Sequence, residues 1–303
     1  MSLSLLRHVE AGSTPRRRII VTGGSGLFGR SLLRVLKGYE VVGMDKESGM
    51  TANDLMIDLA KKASTIESIA RITPSVVVHT AAQTDVDLCE RDRDLARRVN
   101  VDGTANVAEG CAKVGAKLIF ISTDYVFDGN KGSYVESDQP NPVNFYGATK
   151  LEAERIAGTL PGSLIVRTSV LYGWHPNKLN FATWILKGLR EHQSLRVVKD
   201  HVNSPTFADN LAVAIRMAIE RNAEGTLHVA GNERISRFDF ARKMAQKFGL
   251  DQSLLVPVEM RDLNWIARRP RDSSLDVGKA QKQLDIELFG VDRGLEEMLR
   301  SQP

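Results

Sequence analysis

Short apolar strands alternate with amphipathic helices along the first half of the chain. Residues 18–22 form a β-branched run, a glycine-rich turn follows, and leucines then recur at helical spacing over 32–36. A second apolar strand covers 39–44 and ends next to Asp45. This βαβ unit predicts a parallel sheet with a right-handed crossover.

The same alternation continues towards the middle of the chain. It predicts further strands at 75–80, 117–122 and 163–168, and helices at 100–114 and 149–158. Strands that alternate regularly with helices are typical of an α/β protein. We therefore predict a Rossmann-type doubly wound parallel sheet.

Beyond Tyr172, strands and helices no longer alternate regularly. The capping signature Ser236-x-x-Asp239 opens one more helix, which Gly249 ends. We expect a smaller C-terminal lobe that binds substrate and shares a cleft with the sheet. The predicted division is a loose arm at 1–16, an NAD(P)-binding Rossmann domain at 17–172 joined by part of 207–230, and a mainly substrate-binding lobe at 173–303.

Composition and charge argue against several classes of function. The 303 residues carry a net charge of +4, but the charged residues are mixed throughout, so nucleic acid binding is not indicated. No apolar run has the length of a membrane span. Cys89 and Cys111 stand in no metal-like spacing and fit a reducing compartment. We expect a cytoplasmic protein without a metal, and the sequence leaves a homodimer possible.

The turn after the first strand has the features of a dinucleotide site. Gly23, Gly26 and Gly29 follow a strand and open a helix, where missing side chains let the backbone approach a pyrophosphate. Asp45, at the end of the second strand, can bind the adenosine ribose hydroxyls and repel a 2′-phosphate. The cofactor is thus NAD or NADP, with NAD favoured, although the neighbouring Lys46 softens that preference.

Tyr146 and Lys150 stand four residues apart, one helical turn. A phenol can give or take a proton, and a neighbouring ammonium lowers its pKa by favouring the phenolate. An isolated pair of this kind is usually a solvated helix face. Downstream of a phosphate-binding loop, the pair indicates hydride-transfer chemistry.

Several motifs occur together in a fixed order. They are Gly23-x-x-Gly26-x-x-Gly29, Asp58-Leu59, His79-Thr80-Ala81-Ala82, Asn100-Val101-x-Gly103-Thr104, Ser122-Thr123-Asp124-Tyr125-Val126-Phe127-Asp128-Gly129, Tyr146-x-x-x-Lys150, Ser204-Pro205-Thr206 and Arg269-Pro270-x-x-Ser273-x-Leu275-Asp276. By these motifs the chain resembles the extended short-chain dehydrogenase/reductase family, and within it the dTDP-4-dehydrorhamnose reductase group.

The resemblance implies a role for each site residue. Tyr146 would give a proton to the substrate carbonyl, Lys150 would hold the nicotinamide ribose and lower the pKa of Tyr146, and Thr123 would hydrogen-bond the carbonyl oxygen. Other residues assigned to the cofactor are Gly23, Gly26, Leu27, Phe28, Gly29, Asp45, Asp58, Leu59, Ala81, Ala82 and Asn100. Those assigned to the substrate, besides Thr123, are Asp124, Tyr125, Val170 and Arg269.

Some of these residues also have ordinary structural explanations. Thr123 can be a strand-end hydroxyl bonded to its own backbone, and Asn100 a helix cap. Arg269 and the neighbouring arginines at 261, 268 and 271 are candidates for a substrate diphosphate, but a solvated face explains them equally well.

One position departs from the reductase group. Its members usually carry a tryptophan against the sugar at the strand end after the Tyr-Lys helix, whereas this chain has Val170, with Trp174 nearby. The resemblance therefore implies NAD(P)H-dependent reduction of a nucleotide-linked 4-keto-6-deoxy sugar, with dTDP-4-dehydrorhamnose the simplest substrate. The alternatives are a sugar-nucleotide epimerase or dehydratase of the same fold, or a non-catalytic regulatory subunit resembling methionine adenosyltransferase subunit beta.

Overall fold

A computed structural model describes residues 17–46 and 54–303. The arm predicted at 1–16 lies outside the described residues. Within them, no helix combines the length and the apolar character needed to cross a membrane.

The described residues contain both long central strands and short peripheral ones. In chain order the strands are β1 (Arg18–Thr22), β2 (Glu40–Asp45), β3 (Leu55–Met56), β4 (Val76–His79), β5 (Lys117–Thr123), β6 (Leu164–Thr168), β7 (Leu171–Tyr172), β8 (Leu195–Val198), β9 (Val202–Asn203), β10 (Thr206–Phe207), β11 (Gly225–His228), β12 (Ile235–Ser236) and β13 (Leu255–Val258).

Helices connect most of these strands. They are α1 (Leu27–Val35), α2 (Lys62–Ile72), α3 (Val86–Arg91), α4 (Arg93–Arg97), α5 (Gly103–Val114), α6 (Phe145–Ala157), α7 (Phe181–Arg190), α8 (Ala208–Glu220), α9 (Arg237–Lys247), α10 (Gly278–Leu284) and α11 (Val291–Arg300). A π-helical turn at Arg98–Asp102 leads directly into α5.

Seven strands form one sheet in the order β11-β6-β5-β4-β1-β2-β3. All neighbouring pairs in it are parallel. The chain moves outwards from β1 in both directions, which is the doubly wound arrangement predicted from the sequence. The predicted fold class is confirmed.

Alternate residues of the central strands supply two separate cores. Ile19 and Val21 of β1 face α1 and α8, together with Ile119 and Ile121 of β5. Ile20 points to the other side, into the layer formed by α2, α5 and α6. This alternation follows from the two-residue period of a strand, so each face of the sheet is covered by helices.

The second half of the chain contributes to both parts of the molecule. Strand β11 joins the edge of the large sheet, and α8 and α10 pack on the same core as α1. A separate core forms between α7, α9 and α11 around Tyr172, Phe240 and Leu295. The boundaries 17–172 and 173–303, with part of 207–230 assigned to the Rossmann domain, stay a prediction.

Helix α6 begins four residues earlier than the sequence pattern predicts, at Phe145 instead of 149. Asn144 caps it, because its Oδ1 accepts a hydrogen bond from the Gly147 N–H at 2.8 Å. The Asn144 Nδ2 donates to the Arg268 carbonyl at 2.9 Å. The first turn of α6 is therefore fixed both by its own cap and by the C-terminal part of the chain.

Gly147 lets α6 lie against the end of β5, since a Cβ there would be 2.1 Å from the Tyr125 carbonyl oxygen. We expect Gly147→Ala to lower the free energy of unfolding by about 2 kcal/mol. The clash of the new Cβ with the backbone costs about 3 kcal/mol. The higher helix propensity of alanine relative to glycine offsets about 1 kcal/mol of that cost. Urea denaturation of the ligand-free protein measures the change.

The control is Gly38→Ala, because a Cβ at Gly38 meets nothing within 4 Å. We expect that variant to unfold within about 0.5 kcal/mol of the wild type. Equal stability of the two variants would contradict the close approach of α6 to β5.

Candidate active site

The glycine-rich loop between β1 and α1 is closely packed on itself. The Gly26 N–H donates to the Gly23 carbonyl at 3.0 Å, and the Gly23 N–H donates to the Met44 carbonyl at 2.8 Å. A Cβ on Gly29 would lie 2.2 Å from the Gly23 carbonyl oxygen, so only glycine fits there. The loop thereby brings its backbone and the N-terminus of α1 to the surface of a cavity, an arrangement that suits a pyrophosphate.

The cavity has a volume of about 930 Å³ and lies at the carboxyl ends of the central strands. In doubly wound sheets this edge is where ligands bind. The site residues predicted from the sequence that line it are Gly23, Gly26, Leu27, Phe28, Gly29, Asp45, Asp58, Leu59, Ala81, Ala82, Thr123, Asp124, Tyr125, Tyr146 and Val170.

Two carboxylates lie at the glycine-loop end of this cavity. The Asp45 Oδ2 accepts hydrogen bonds from the Ser25 N–H at 2.9 Å and from the Ser25 hydroxyl at 2.8 Å. The Asp58 Oδ1 accepts from the Ala60 N–H at 3.1 Å. Asp45 thus both stabilises the loop and contributes negative charge where β2 ends.

Thr123, Tyr146 and Lys150 come together where β5 meets α6. Thr123 and Tyr146 line the same part of the cavity, and the Thr123 Oγ1 accepts a hydrogen bond from the Tyr125 N–H at 3.2 Å. Lys150 lies one turn further along α6, and its Nζ donates to the Ile121 carbonyl at 2.7 Å. The Lys150 Nζ also lies 4.0 Å from the centre of the Phe120 ring. Lys150 is buried, but its Nζ has two favourable partners, the Ile121 carbonyl and the face of the Phe120 ring.

Burial controls the proton affinities of this group. It lowers the pKa of Lys150 to about 7, against an opposing effect of Glu154 one turn further along α6. Burial also raises the pKa of Tyr146, and the nearby Thr123 hydroxyl only partly offsets that rise. The sequence analysis expected Lys150 to lower the pKa of Tyr146. In the ligand-free protein the direction is opposite, so the phenol keeps its proton.

Asp124 is the buried polar centre next to this group. Its Oδ2 accepts hydrogen bonds from the hydroxyls of Ser169, at 2.8 Å, and Ser273, while Oδ1 accepts from the Thr123 hydroxyl at 3.1 Å. Burial raises the pKa of Asp124, and the bonds from Ser273 and Ser169 oppose that rise. Because Ser273 belongs to the C-terminal part of the chain, Asp124 links that part to the end of β5.

Val170 lines the cavity directly after β6 and has an unusual backbone. Its φ is +43°, a conformation rare for a β-branched residue and costing about 1–3 kcal/mol. The Thr206 N–H donates to the Val170 carbonyl at 3.1 Å and so helps to hold it. Trp174 lies outside the cavity lining, because its indole donates to the Met298 carbonyl at 2.7 Å. It does not stand in for a tryptophan at 170.

Three predicted site residues do not line the cavity: Lys150, which is buried behind it, Asn100 and Arg269. The Asn100 Oδ1 accepts from the Gln83 N–H at 2.7 Å, and its Nδ2 donates to the Thr149 hydroxyl at 3.1 Å. The Arg269 guanidinium donates to the Asp87 carboxylate at 3.0 Å. Asn100 thus supports α6 from behind, and Arg269 is occupied by an internal carboxylate. Their cofactor and substrate roles stay predictions.

The cavity also contains residues that the sequence analysis did not select: Thr168, His175, Lys178 and Arg237. The Nδ1 of His175 accepts from the N–H groups of Asn177 and Lys178, so its Nε2 is the donor to the Ser25 carbonyl at 2.9 Å. His175 thereby joins the C-terminal part of the chain to the glycine loop. Only the position of Thr168 at a strand end offered a sequence signal.

Comparison with known proteins places these features in one family. Residues 17–302 match the RmlD substrate binding domain. The chain is 32% identical to a dTDP-4-dehydrorhamnose reductase of Aggregatibacter actinomycetemcomitans, over 93% of this chain and 98% of the relative. It is also 32% identical to methionine adenosyltransferase 2 subunit beta of Bos taurus, over 90% of this chain and 84% of the relative.

A solved structure is similar over almost the whole chain. It is a dTDP-4-dehydrorhamnose reductase of Bacillus anthracis in complex with NADP, 32% identical, with a TM-score of 0.88 over 95% of this chain and 100% of that chain. The resemblance inferred from the motifs is confirmed.

Thr168 ends β6 beside Thr123 of β5, and its buried hydroxyl has no hydrogen-bond partner within the described ranges. A buried hydroxyl without a partner costs about 1–3 kcal/mol. We therefore expect Thr168→Val to raise the free energy of unfolding of the ligand-free protein by about 1 kcal/mol. Urea denaturation without ligands measures it.

The control for this substitution is Thr104→Val. The Thr104 hydroxyl is equally buried, but it donates to the Asn100 carbonyl at 2.7 Å and meets the His79 Nε2 at 3.0 Å. Its loss should destabilise the protein by about 1–3 kcal/mol. If both variants lose stability alike, the Thr168 hydroxyl is satisfied in the ligand-free protein.

Proposed function

The chain belongs to the RmlD substrate binding domain family, within the extended short-chain dehydrogenases/reductases, and from this premise we propose that it is an NAD(P)H-dependent reductase. It reduces the 4-keto group of a nucleotide-linked 6-deoxy sugar to an alcohol. dTDP-4-dehydrorhamnose is the first substrate to test, because reductases named for it are similar over nearly the whole chain.

The observation that carries the proposal is that the hydroxyls of Thr123 and Tyr146 line the same cavity as the glycine loop. The protonated phenol and the threonine hydroxyl lie where a bound carbonyl oxygen needs donors. Negative charge develops on that oxygen as the carbonyl is reduced, and fixed donors stabilise it better than water does.

The residues around the cavity suit a dinucleotide. A side chain at Gly29 would collide with the loop backbone, and a Cβ at Gly23 would lie 2.9 Å from the Ala81 nitrogen. The glycines thus leave a surface of bare backbone for a pyrophosphate. When bound, the reduced nicotinamide supplies a hydride to the carbonyl carbon.

The protein's own residues supply the proton. Tyr146 gives its phenolic proton to the carbonyl oxygen, which becomes the product hydroxyl. Thr123 donates a second hydrogen bond to the same oxygen, in exchange for its present bond to Asp124. The ammonium form of Lys150, one helical turn from Tyr146, favours the phenolate left after transfer. Asp124 holds the turn after β5 in position through Ser169 and Ser273.

Asp124 and Tyr125 argue against a dehydratase. Dehydration needs a further acid/base pair beside the catalytic threonine, and dehydratases of this fold typically have Asp-Glu there. Here Tyr125 follows Asp124, and burial raises the pKa of the Tyr125 phenol to about 12. At neutral pH a phenol with so high a pKa keeps its proton, so it is not available as a base.

A regulatory subunit is the second candidate function. A relative named as a methionine adenosyltransferase subunit is as similar to this chain as a reductase is. Val170 favours this alternative, since the usual contact with the sugar is missing. Retention of Thr123, Tyr146 and Lys150 favours an enzyme. A homodimer and a cytoplasmic location are further expectations from the sequence.

A substrate panel separates these functions. The wild-type protein is offered dTDP-, GDP- and UDP-linked 4-keto-6-deoxy sugars, and NADH or NADPH consumption is followed. We expect turnover with at least one of them. A protein that binds the cofactor but reduces none of the sugars would favour the regulatory subunit.

Cofactor choice depends on Asp45, whose carboxylate lies at the end of β2 in the cavity. We expect the wild type to bind NADH at least as well as NADPH, because a carboxylate repels the 2′-phosphate. Asp45→Ala should shift the ratio towards NADPH by about tenfold, or about 1.4 kcal/mol. Titration of both cofactors, followed by fluorescence, gives the ratio.

The matched control is Asp102→Ala, which removes an exposed carboxylate outside the cavity lining and should leave the ratio unchanged. Wild-type binding of NADPH about a hundredfold tighter than NADH, about 2.7 kcal/mol, would refute the assignment of Asp45.

Tyr146→Phe tests the chemical step. The ring and its packing stay, but the proton is lost, so kcat should fall by about 10²–10⁴-fold on the best substrate. The dissociation constant of the cofactor should change by less than about threefold, because the phenol is needed in the transition state. Steady-state kinetics and cofactor titration measure the two effects.

The control is Tyr39→Phe, whose hydroxyl contacts Glu220 at the surface, at 3.4 Å. We expect that variant to have wild-type kcat. Near-normal turnover by Tyr146→Phe would show that another group supplies the proton, and the hydride-transfer interpretation of this site would be wrong.

A further inference from the structure

Arg237 reaches the active-site cavity from the C-terminal part of the chain. It is the first residue of α9, and its backbone N–H donates to the His201 carbonyl at 2.9 Å. Its partly buried side chain lines the same cavity as Thr123 and Tyr146. Ser236 caps the helix immediately before Arg237, because its Oγ accepts a hydrogen bond from the Asp239 N–H at 3.0 Å.

Neutral groups hold the Arg237 guanidinium. The Nε donates to the Asn203 Oδ1 at 2.8 Å, and the guanidinium lies near the Tyr125 hydroxyl. The Phe181 ring lies beneath it, 4.7 Å from the guanidinium carbon to the ring centre. A guanidinium has five N–H donors, so the hydrogen bond to Asn203 leaves several of them for a ligand.

Arg237 differs from the other buried arginines in its lack of a carboxylate partner. Arg167 is paired with Glu154, and Arg269 with Asp87. Within 17–46 and 54–303, Arg237 forms no such ion pair. The oxygens of its nearest carboxylate, Asp124, are occupied by hydroxyls of Ser169, Ser273 and Thr123. A partly desolvated cation held by neutral groups favours an anionic ligand.

Charge is distributed unevenly along the cavity. Asp45 and Asp58 line the end formed by the glycine loop and β2, while Arg237 lines the cavity near the end of β5, on the side of Asp124 and Tyr125. An anion at the second side meets positive charge without the two carboxylates beside it.

Arg237 is also close to the reacting centre. The Tyr125 ring meets the Tyr146 ring edge-on, with centres 6.0 Å apart, and the Tyr125 hydroxyl meets Arg237. One side chain therefore separates the proposed proton donor from the guanidinium. A group bound by Arg237 belongs to the substrate part of the cavity, where Val170 leaves the room that a tryptophan would fill.

We propose that Arg237 binds an anionic oxygen of the substrate, as a specificity-determining residue that rests on the proposed function. In the proposed 6-deoxy sugar nucleotide, the diphosphate carries this chemistry. A sugar nucleotide with a uronic acid, which would replace that substrate, carries it also as a carboxylate on the sugar. Both accept hydrogen bonds from a guanidinium in the same way. The experiment distinguishes them.

Arg237→Gln tests the proposal by binding alone, on protein saturated with NADPH. The four probes are thymidine, dTDP, UDP-glucose and UDP-glucuronate, and calorimetry measures their dissociation constants. If Arg237 binds the diphosphate, the variant should bind dTDP at least tenfold more weakly and thymidine unchanged. If it binds a sugar carboxylate, dTDP should bind as before, and the preference for UDP-glucuronate over UDP-glucose should disappear.

Two further variants complete the test. Arg242→Gln, an exposed arginine on the same helix, should bind every probe like the wild type. Arg237→Lys keeps the charge but loses the planar fork, so it should recover part of the lost affinity. NADPH affinity and the thermal midpoint of each variant report whether its fold is intact.

Unchanged binding of all four probes by Arg237→Gln would overturn the proposal, as would a wild type that binds none of them. Failure of the proposed function is a separate outcome. A protein that binds dTDP through Arg237 but reduces no keto sugar would keep the anion site and lose the reductase assignment.

Discussion

The buried ion pair between Glu154 and Arg167 is the constraint on which the active-site geometry depends. Both side chains are almost fully buried, and two hydrogen bonds of 3.0 and 2.8 Å join them. Glu154 also accepts from the Ser122 hydroxyl. The pair ties α6 to both β5 and β6. Removal of one partner would leave an uncompensated buried charge, which typically costs about 3–5 kcal/mol.

This attachment determines where the reactive groups of α6 lie. Tyr146, Lys150 and Glu154 follow one another at four-residue spacing and so share one face of the helix. With Glu154 fixed to the sheet, Lys150 donates to the Ile121 carbonyl and Tyr146 lines the cavity beside Thr123. Because α6 is rigid, the buried ion pair at Glu154 also fixes where the Tyr146 phenol lies at the cavity.

A second network joins the two halves of the chain across the cavity. Asp124, at the end of β5, accepts hydrogen bonds from Ser169 and from Ser273, and Asn203 lies within 3.4 Å of the same carboxylate oxygen. Asn203 in turn accepts from Arg237. The polar contacts behind the proposed proton donor are therefore continuous with those that orient the proposed anion-binding residue. One connected network of hydrogen bonds therefore supports both the proposed proton donor and the proposed anion-binding residue.

The sequence by itself determined the doubly wound sheet and the glycine loop, because both depend on local order: strand period, helix period and the need for missing side chains at Gly23 and Gly29. It also determined the one-turn spacing of Tyr146 and Lys150, although the predicted helix began at 149 and only the structure extends α6 back to include Tyr146. Tertiary structure decided which side chains face the cavity. Arg269 belongs to a recognisable motif yet bonds Asp87, whereas Arg237 stands in an ordinary helix start and lines the cavity. Spacing along a chain cannot tell these arginines apart, since their partners lie in segments distant in sequence, and only packing brings those segments together.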